Sequence, residues 1–279
     1  MQPRDYKNLV PDSPLHRELE QFLRQNAGQA SLAAVCEQVL QLPCPDPAVA
    51  AILVGALIEG DPRVQLRNSG VEWMEPAVGA WDACERFAVI DLETTNGTRH
   101  EQRVIEIGVC RVEAGQVKQE WASLVNPERP IPYWVRQLTG ITDAAVRQAP
   151  RFTEILPRLL DDLEDSILVA HHARFDVSCL NTELSRLWGK RLSNPYLCTV
   201  EMSRRFLPGS DNYRLETLSQ WLGLTHTRPH RADSDARATA ELLCHLLDPV
   251  GAPWRDFLRP RAVTEPAEKT AETKPGVST

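Results

Sequence analysis

Two carboxylates stand one residue apart at the end of a short apolar run, within the stretch from Phe87 to Thr95. The four apolar residues 87–90 predict a strand that is buried on both faces and that stops at Asp91. Because side chains alternate along a strand, Asp91 and Glu93 share one face. Open α/β sheets bind ligands beyond the carboxyl ends of their strands, so the pair is a candidate site, although an isolated pair there can also be solvated turn residues.

Two further segments supply acids and histidines that could complete such a site. His171 to Asp176 follows a second predicted strand, and His230 to Asp235 precedes the last predicted helix. Each segment alone has an ordinary explanation, because an acid in a first helical turn stabilises the helix dipole and a loop histidine is usually only exposed. Three acidic segments in chain order, each at the end of a strand or helix, favour one shared site.

The elements that would position these residues predict an α/β fold from residue 86 onward. Two strands joined by a turn at residues 113–115 follow the first strand, and helices then alternate with one more apolar strand. The predicted strands are 87–90, 103–112, 116–125 and 166–171, and helices are predicted over 200–206, 215–222 and 234–247, with a further helix after 171 in which Leu180, Leu184 and Trp188 are spaced by four.

Residues 1–80 form a separate unit in this interpretation. Helical spacing of apolar residues predicts two helices before residue 41 and a third over Ala48 to Ile58. Two short extended segments, 63–67 and 71–74, flank Asn68-Ser69-Gly70, which is favourable hairpin chemistry. Three helices and a hairpin resemble a small winged-helix domain. Residues 76–80 are the predicted linker, 81–258 the second domain, and 259–279 a disordered tail.

The acidic segments and the residues between them resemble the DEDDh exonucleases, the family that includes the epsilon proofreading subunit of bacterial DNA polymerase III. The resemblance covers residues 86–248, and one departure is His171-His172, where the family usually has His-Asn. The matching motifs are Asp91-Leu92-Glu93-Thr94-Thr95, Val104-Ile105-Glu106-Ile107-Gly108, Asn126-Pro127, Thr139-Gly140-Ile141-Thr142, Asp176, and His230 followed by Asp235.

This resemblance implies a ribonuclease H-like fold, with a mixed sheet flanked by helices, and removal of nucleotides from a 3′ end. Two divalent cations about 4 Å apart can stabilise the attacking and leaving oxygens of phosphodiester hydrolysis. Hard cations such as Mg²⁺ or Mn²⁺ prefer oxygen ligands. A histidine, with an unperturbed pKa near 6.5, suits a general base near neutral pH. The implied metal ligands are Asp91, Glu93, Asp176 and Asp235, and the implied base is His230.

Substrate-contacting residues are also implied around these motifs. The backbone from Leu92 to Thr95 would hold the 3′-terminal nucleotide, with Leu92 or Thr95 near the terminal base and Thr94 between them. His171 and His172 are interpreted as structural or substrate-contacting residues. Arginines in or near the motifs are candidates for phosphate contacts: Arg174, Arg204, Arg205, Arg214 and Arg231.

Composition sets the outer bounds on function. The 279 residues carry a formal charge of −7, which at first argues against a nucleic-acid partner. Residues 81–258, however, hold 21 Lys and Arg against 25 Asp and Glu, so the four implied metal ligands account for the excess. Seven cysteines form no C-x-x-C pair, and no long apolar segment is present. We therefore expect a cytoplasmic protein with reduced thiols and no membrane association.

Several functions remain open at this level. The favoured one is a metal-dependent nuclease of DNA maintenance that acts on a free 3′ end. A polymerase proofreading subunit, an RNA-trimming exoribonuclease and a non-catalytic adaptor are the alternatives. The predicted recognition helix of residues 1–80, Ala48 to Ile58, has no positive charge, and this unit holds 6 Lys and Arg against 10 Asp and Glu. We expect it to recruit a protein partner or pack on the nuclease unit without binding DNA.

Overall fold

A computed structural model of the chain describes residues 6–43, 46–67, 70–74, 81, 84–95, 101–247 and 253–259. Its N-terminal elements are short and mainly helical. They are β1 Leu9–Pro11, α1 Pro14–Gln25, β2 Gln29–Ser31, α2 Leu32–Gln38, α3 Pro47–Ile58, β3 Val64–Arg67 and β4 Gly70–Trp73.

Each of the three predicted N-terminal helices begins after an N-cap residue. Ser13, Ser31 and Asp46 each accept a hydrogen bond from a backbone N–H in the first turn of α1, α2 and α3, respectively. β3 and β4 pair as the predicted hairpin, and the strand β2, which had not been predicted, joins them in the order β2-β4-β3. The winged-helix interpretation stays a prediction, and Asn68-Ser69 and the linker at 76–80 lie outside the described residues.

The first strand of the chain belongs to the other unit. β1 pairs antiparallel with β9, Lys190–Leu192, and Tyr6 and Leu9 are buried in the core that includes Leu160 and Leu180. The predicted boundary at residue 80 therefore does not separate the chain cleanly, because residues 6–11 pack on the nuclease unit. Sequence patterns miss this pairing because its two strands are very short and far apart in the chain.

A buried ionic network strengthens the same junction. Arg63 donates to Glu20 at 2.8 Å and to Asp61 at 2.6 Å, and its side chain is 1% exposed. Arg191 of β9 binds Glu20 from the nuclease side and lies 3.9 Å from Asp12. Each acid in this network, which we call the junction network, therefore lies beside an arginine.

From residue 86 onward the chain forms a five-stranded mixed sheet in the order β10-β8-β5-β6-β7, flanked by helices. This is the predicted ribonuclease H-like arrangement. The strands are β5 Arg86–Thr94, β6 Val104–Glu113, β7 Gln116–Leu124, β8 Ile167–Ala170 and β10 Tyr196–Cys198. The helices are α4 Tyr133–Thr139, α5 Asp143–Val146, α6 Phe152–Leu163, α7 Ala173–Trp188, α8 Thr199–Phe206, α9 Leu215–Leu222 and α10 Ala232–Leu247.

The two faces of β5 pack against different helices. Ala88, Ile90 and Leu92 lie in the core under α6 and α7. Phe87 and Val89 lie in the core under α9 and α10. Both faces of the strand are thus covered by helices, as its continuous apolar run predicts.

β5 is longer than predicted. It continues through Thr94, four residues past Ile90, because β6 pairs with it along this whole length, with Asp91 opposite Gly108. The apolar pattern stops at Asp91, but the hydrogen-bonded ladder does not. The carboxylates of Asp91 and Glu93 therefore lie within a strand, on a rigid element.

The C-terminal end of the described chain packs on the nuclease core. A short 3₁₀ helix, Trp254–Phe257, places Trp254 against Phe87 with ring centroids 5.3 Å apart. Arg259 forms an antiparallel β-bridge with Tyr196 and an ion pair with Glu201 at 2.7 Å. The disorder predicted for residues 259–279 is therefore wrong for Arg259. The rest of that tail lies outside the described residues. Among the described helices, none is both long and apolar enough to span a bilayer.

Candidate active site

The end of the sheet that carries Asp91 and Glu93, which we call the candidate catalytic edge, is formed by β5 and β6. Asp91 and Glu93 are partly buried on the face of β5 that carries Val89, and Glu93 lies directly opposite Glu106 of β6. A bulge follows between Glu93 and Thr94. Three acidic side chains therefore meet on neighbouring strands, as the alternation along β5 predicts for the first two.

α10 approaches this edge closely because β6 carries a glycine there. A Cβ added to Gly108 would lie 2.0 Å from the backbone oxygen of Ala232, which no side chain can tolerate. Gly108 therefore allows the first turn of α10 to rest on the strand. This contact brings Asp235, in the same turn, towards Asp91 and Glu93.

Glu93, His230 and Asp235 form the tightest cluster at this edge. Each of the three offers one ligand atom, and these atoms lie within 4.8 Å of one another. The backbone N–H of His230 donates to Asp235 Oδ2 at 3.2 Å. His230 has a φ of +63°, so a left-handed backbone turns its exposed side chain towards the two acids. The structure thus brings together the histidine and two of the four acids that the sequence predicts.

Asp176 enters from the opposite side of β5, in the first turn of α7. It is buried, with 3% of its surface exposed, and a hydrogen bond from the backbone of Leu92 ties it to the strand. The N-cap residue of α7 is His172, whose φ is +78°. Asn and His are among the residues that most often adopt this left-handed conformation, so His172 fits the backbone at the place where the family usually has Asn.

Burial, together with repulsion between neighbouring acids, raises the pKa values of the acids in this cluster. Burial raises the pKa of Asp91 well above its usual range, and the charges of Asp176, Asp235 and Glu93 add to this. Burial likewise raises the pKa of Asp176. The pKa of Glu93 rises to about 8, first through burial and then through Asp235 and Glu106. Burial also raises the pKa of Asp235, against the opposing hydrogen bond from His226. Such a cluster favours either bound protons or bound cations.

His226 is a residue of the site that sequence reasoning missed. Its side chain is 6% exposed, and its Nε2–H donates to Asp235 Oδ1 at 2.7 Å. Asp235 is therefore held by His226 on one oxygen and by the His230 backbone on the other. The signal available in the sequence is a second histidine four residues before His230 in the same loop.

Arg231, expected to contact substrate, is bound within the protein. It donates to Glu106 through Nε at 3.0 Å and through Nη2 at 2.5 Å, while the backbone N–H of Ala232 donates to the same carboxylate at 2.9 Å. Glu106 is 2% exposed. This pair anchors the loop between His230 and α10 to β6. The signal for Glu106 was an acid within an otherwise apolar strand.

The other predicted contact residues lie at different depths. Leu92 and Thr94 are buried, and Thr95 is 1% exposed, with its hydroxyl accepting from the backbone N–H of Arg103 at 3.0 Å. A contact of these side chains with a terminal base stays a prediction. His172 is exposed, with its ring centre 5.4 Å from that of His171.

His171 has a structural position. Its Nε2–H donates to the carbonyl of Tyr213 at 2.9 Å, and its Nδ1 lies 2.9 Å from the hydroxyl of Thr199. Burial lowers the pKa of His171 to about 4, so the ring is neutral near pH 7. It joins the end of β8 to the segment before α9, in agreement with the structural alternative in the sequence interpretation.

Solved structures of exonucleases share this fold. Exonuclease X in complex with 5′ overhanging duplex DNA matches with a TM-score of 0.51 and 27% identity, over 61% of this chain and 96% of that one. The nuclease domain of 3′hExo, a DEDDh family member bound to rAMP, matches with a TM-score of 0.54 and 21% identity, over 64% of this chain and 96% of that one. At 21% sequence identity, the match to 3′hExo supports the fold alone.

Sequence relatives point to the same family. DNA polymerase III subunit epsilon of Aquifex aeolicus is 35% identical over 58% of this chain and 80% of that protein. DNA polymerase III PolC-type of Caldanaerobacter subterraneus is 36% identical, but the chain covers 12% of its length. The 3′-5′ exonuclease DinG of Bacillus subtilis is 35% identical, and 18% of it is covered. The exonuclease family of the RNase T type matches residues 88–243. This chain belongs to that exonuclease family.

Proposed function

We propose that this protein is a divalent-cation-dependent 3′-5′ exonuclease that acts on DNA. The observation that carries the proposal is the cluster of Glu93, His230 and Asp235, joined at one sheet edge by Asp91 and Asp176. The family membership supplies the reaction class. The site's geometry supplies the groups that the reaction needs.

The donor set fits hard divalent cations. Carboxylate oxygens are the ligands that Mg²⁺ and Mn²⁺ prefer. The pKa values of Asp91 and Glu93 are raised first by burial and then by the charges of neighbouring acids, which a bound cation would offset. Asp91, Glu93, Asp176 and Asp235 would hold the cations. Bound there, two cations would stabilise charge on the attacking and leaving oxygens of a phosphodiester.

His230 is the proposed general base. Its side chain is exposed beside Glu93 and Asp235, so it reaches the position that an attacking water would occupy. The water attacks the phosphorus of the last phosphodiester, and its proton passes to the imidazole. The bond from this phosphorus to the 3′ oxygen of the preceding nucleotide breaks, and that oxygen takes up a proton from solvent to become the new 3′ hydroxyl. His226 is enclosed against Asp235, which suits it to orient that carboxylate and not to exchange protons with substrate water.

DNA is the proposed substrate because the similar proteins that are named for a nucleic acid include DNA polymerase III subunits and an exonuclease bound to duplex DNA. An RNA 3′ end is the alternative. A role as a proofreading subunit is a second candidate, favoured by the match to 80% of one epsilon subunit. For residues 1–80, the exposed apolar side chains of Val49 and Ile52 on α3 support a protein partner more than DNA.

The deciding experiment uses the full chain with Mg²⁺ or Mn²⁺ and oligonucleotides of one sequence. A 5′-labelled single strand should shorten stepwise, and a 3′ label should appear at once as a mononucleotide. Chelation should stop both reactions, and duplex DNA and RNA should be cut more slowly. Degradation from the 5′ end, or faster cutting of RNA, would contradict the direction or the substrate, and an inert wild type would support the adaptor alternative.

A further inference from the structure

One acid of the candidate catalytic edge, Glu106, is not among the proposed cation ligands. It is 2% exposed and lies opposite Glu93 in the ladder between β5 and β6. Its Oε1 accepts a hydrogen bond from Nη2 of Arg231 at 2.5 Å. Its Oε2 accepts from Nε of Arg231 at 3.0 Å and from the backbone N–H of Ala232 at 2.9 Å. Both oxygens of this carboxylate therefore bind the two residues that follow His230.

The start of α10 connects Arg231 to the proposed general base and to a proposed cation ligand. The backbone carbonyl of Arg231 accepts a hydrogen bond from the N–H of Asp235 at 2.9 Å. The side chain of Asp235 accepts in turn from the backbone N–H of His230 at 3.2 Å. Residues 230–235 are thus joined by their own hydrogen bonds, and Glu106 attaches this segment to β6.

The direction of the His230 side chain depends on its backbone conformation. The φ of His230 is +63°, in a left-handed region that residues other than glycine occupy only where surrounding contacts hold them there. The imidazole is exposed, so packing does little to fix it. The contacts that can hold this backbone are those of the neighbouring residues, and the hydrogen bonds from Arg231 and Ala232 to Glu106 follow His230 directly.

We propose that Glu106 and Arg231 are positioning residues, which hold the imidazole of His230 at the cluster that it forms with Glu93 and Asp235. This inference rests on the proposed function, because it concerns the same site. A guanidinium that donates through two nitrogens to one carboxylate fixes orientation as well as distance, which a lysine cannot do. The alternatives, as outcomes of the test, are that Glu106 is a further cation ligand or that Arg231 contacts a substrate phosphate.

The first test measures hydrolysis of a short single strand by variants of the full chain. Arg231→Gln should lower kcat about 10²-fold, the usual cost of displacing a reacting group by about 1 Å, while KM and the affinity for Mn²⁺ change less than about threefold. Arg231→Lys should recover part of the loss, because it keeps the charge. The matched control is Arg228→Gln, at an exposed arginine of the same loop that pairs with Asp233, and it should keep its kcat.

The single variant leaves the carboxylate of Glu106 buried without its arginine, which can also destabilise the fold. The double variant Glu106→Gln/Arg231→Gln removes both charges and therefore avoids this cost. If the two residues act as one unit, the double variant should lose no more kcat than Arg231→Gln alone. A loss equal to the product of the two single losses would overturn the inference.

A further replacement separates positioning from a purely structural role. In the Arg231→Gln background, His230→Gln should lower kcat by at most about tenfold, against about 10² to 10⁴ in the wild type, because the base is already displaced. A full loss in that background would show that His230 still works without the pair, and would overturn the inference.

Amide hydrogen exchange of the metal-free protein distinguishes this inference from the proposed function. Residues 230–235 should exchange at least about tenfold faster in Arg231→Gln than in Arg228→Gln, whether or not the protein cuts a strand. Faster exchange in a protein whose wild type is inert would overturn the proposed function and support the attachment of this loop by the pair. Unchanged exchange would overturn the inference.

Two further outcomes would assign the pair to the alternative roles. A raised KM with unchanged kcat in Arg231→Gln would make Arg231 a substrate contact and overturn the inference. Weaker Mn²⁺ binding in Glu106→Gln, with normal binding in Arg231→Gln, would make Glu106 a cation ligand and overturn it as well.

Discussion

In the described part of the chain, two buried groups of acidic side chains differ in how their negative charge is neutralised. In the junction network, Glu20 and Asp61 hold Arg63, and Glu20 also holds Arg191 across the two units. At the candidate catalytic edge the neighbouring arginine, Arg231, is bound to Glu106, and burial together with the charges of nearby acids raises the pKa of Asp91. The first group is neutralised by the protein's own side chains. Among the described residues the second group has no matching set of arginines, and under the proposed function cations from outside would neutralise it.

This difference separates scaffold from function. A buried ion pair that is complete holds elements in place but offers nothing to a ligand. A buried acidic cluster without matching arginines binds protons or metal ions to reduce its repulsion. Groups with pKa values shifted in this way concentrate at functional sites. The predictions below therefore remove charges from one group or the other.

The largest effect is expected from Asp91→Asn. Removing a ligand carboxylate should lower kcat by at least about 10³-fold, since cation binding stabilises the transition state by several kcal/mol. The melting temperature of the metal-free protein should stay equal or rise, because repulsion among the acids decreases. Steady-state hydrolysis and thermal unfolding measure the two effects. Glu120→Gln, at an exposed carboxylate paired with Arg237, is the matched control. Near-native turnover in Asp91→Asn would remove Asp91 from the ligand set.

His230→Gln should separate proton transfer from cation binding. We expect a loss of about 10² to 10⁴ in kcat, the usual contribution of a general base, with Mn²⁺ affinity largely kept. The pH–rate profile should lose its acid limb. His172→Asn is the control, because its left-handed backbone accepts Asn, and it should keep its activity. A His230→Gln variant with an unchanged pH profile would contradict the assignment.

Arg191→Ala should break the junction network instead. It removes a charge-assisted hydrogen bond from the buried Glu20, which keeps Arg63, so we expect a loss of about 1.5–3 kcal/mol in the free energy of unfolding. Turnover per folded molecule should be retained. Urea denaturation measures the loss. Arg67→Ala, at the exposed pair with Glu72, should cost at most about 1 kcal/mol. Equal effects in the two variants would mean that the junction network does not hold the units together.

The last expected effect, which is spread over several pH units, is a pH dependence of stability in the metal-free protein. The pKa of Glu93 rises from its ordinary 4.5 to about 8, so between these values the folded state holds a proton that the unfolded state has released. Stability should therefore fall as pH rises from about 4.5 to about 8. Glu93→Gln should make this slope shallower, and saturating Mn²⁺ should reverse it in the wild type. A slope that Glu93→Gln leaves unchanged would contradict the raised pKa.

Local patterns in the sequence predicted much of this site. The apolar run before Asp91 and the period of α7 and α10 depend on residues close in the chain, and the order of these elements predicted that the acids lie near one edge of the sheet. Family motifs then assigned His230 and Asp235. What these patterns share is that each can be read within a window of about 18 residues.

Contacts between distant segments were not predictable in the same way. Arg231 was assigned to substrate because its partner Glu106 lies 125 residues away. β5 was predicted too short because its length is decided by pairing with β6, not by its own polarity. The pairing of β1 with β9 joins segments about 180 residues apart, and a three-residue strand has too little pattern to be recognised.

The most direct test of cation binding by the acids at the candidate catalytic edge is a calorimetric titration. Mn²⁺ is titrated into the metal-free full chain at pH 7 in two buffers of different ionisation enthalpy. We predict stoichiometric binding with release of protons, because at this pH Glu93 is largely protonated until a cation displaces its proton. Asp91→Asn should weaken the binding, while Arg191→Ala should leave it unchanged. Absence of Mn²⁺ binding at millimolar concentration, or binding without proton release, would contradict the account.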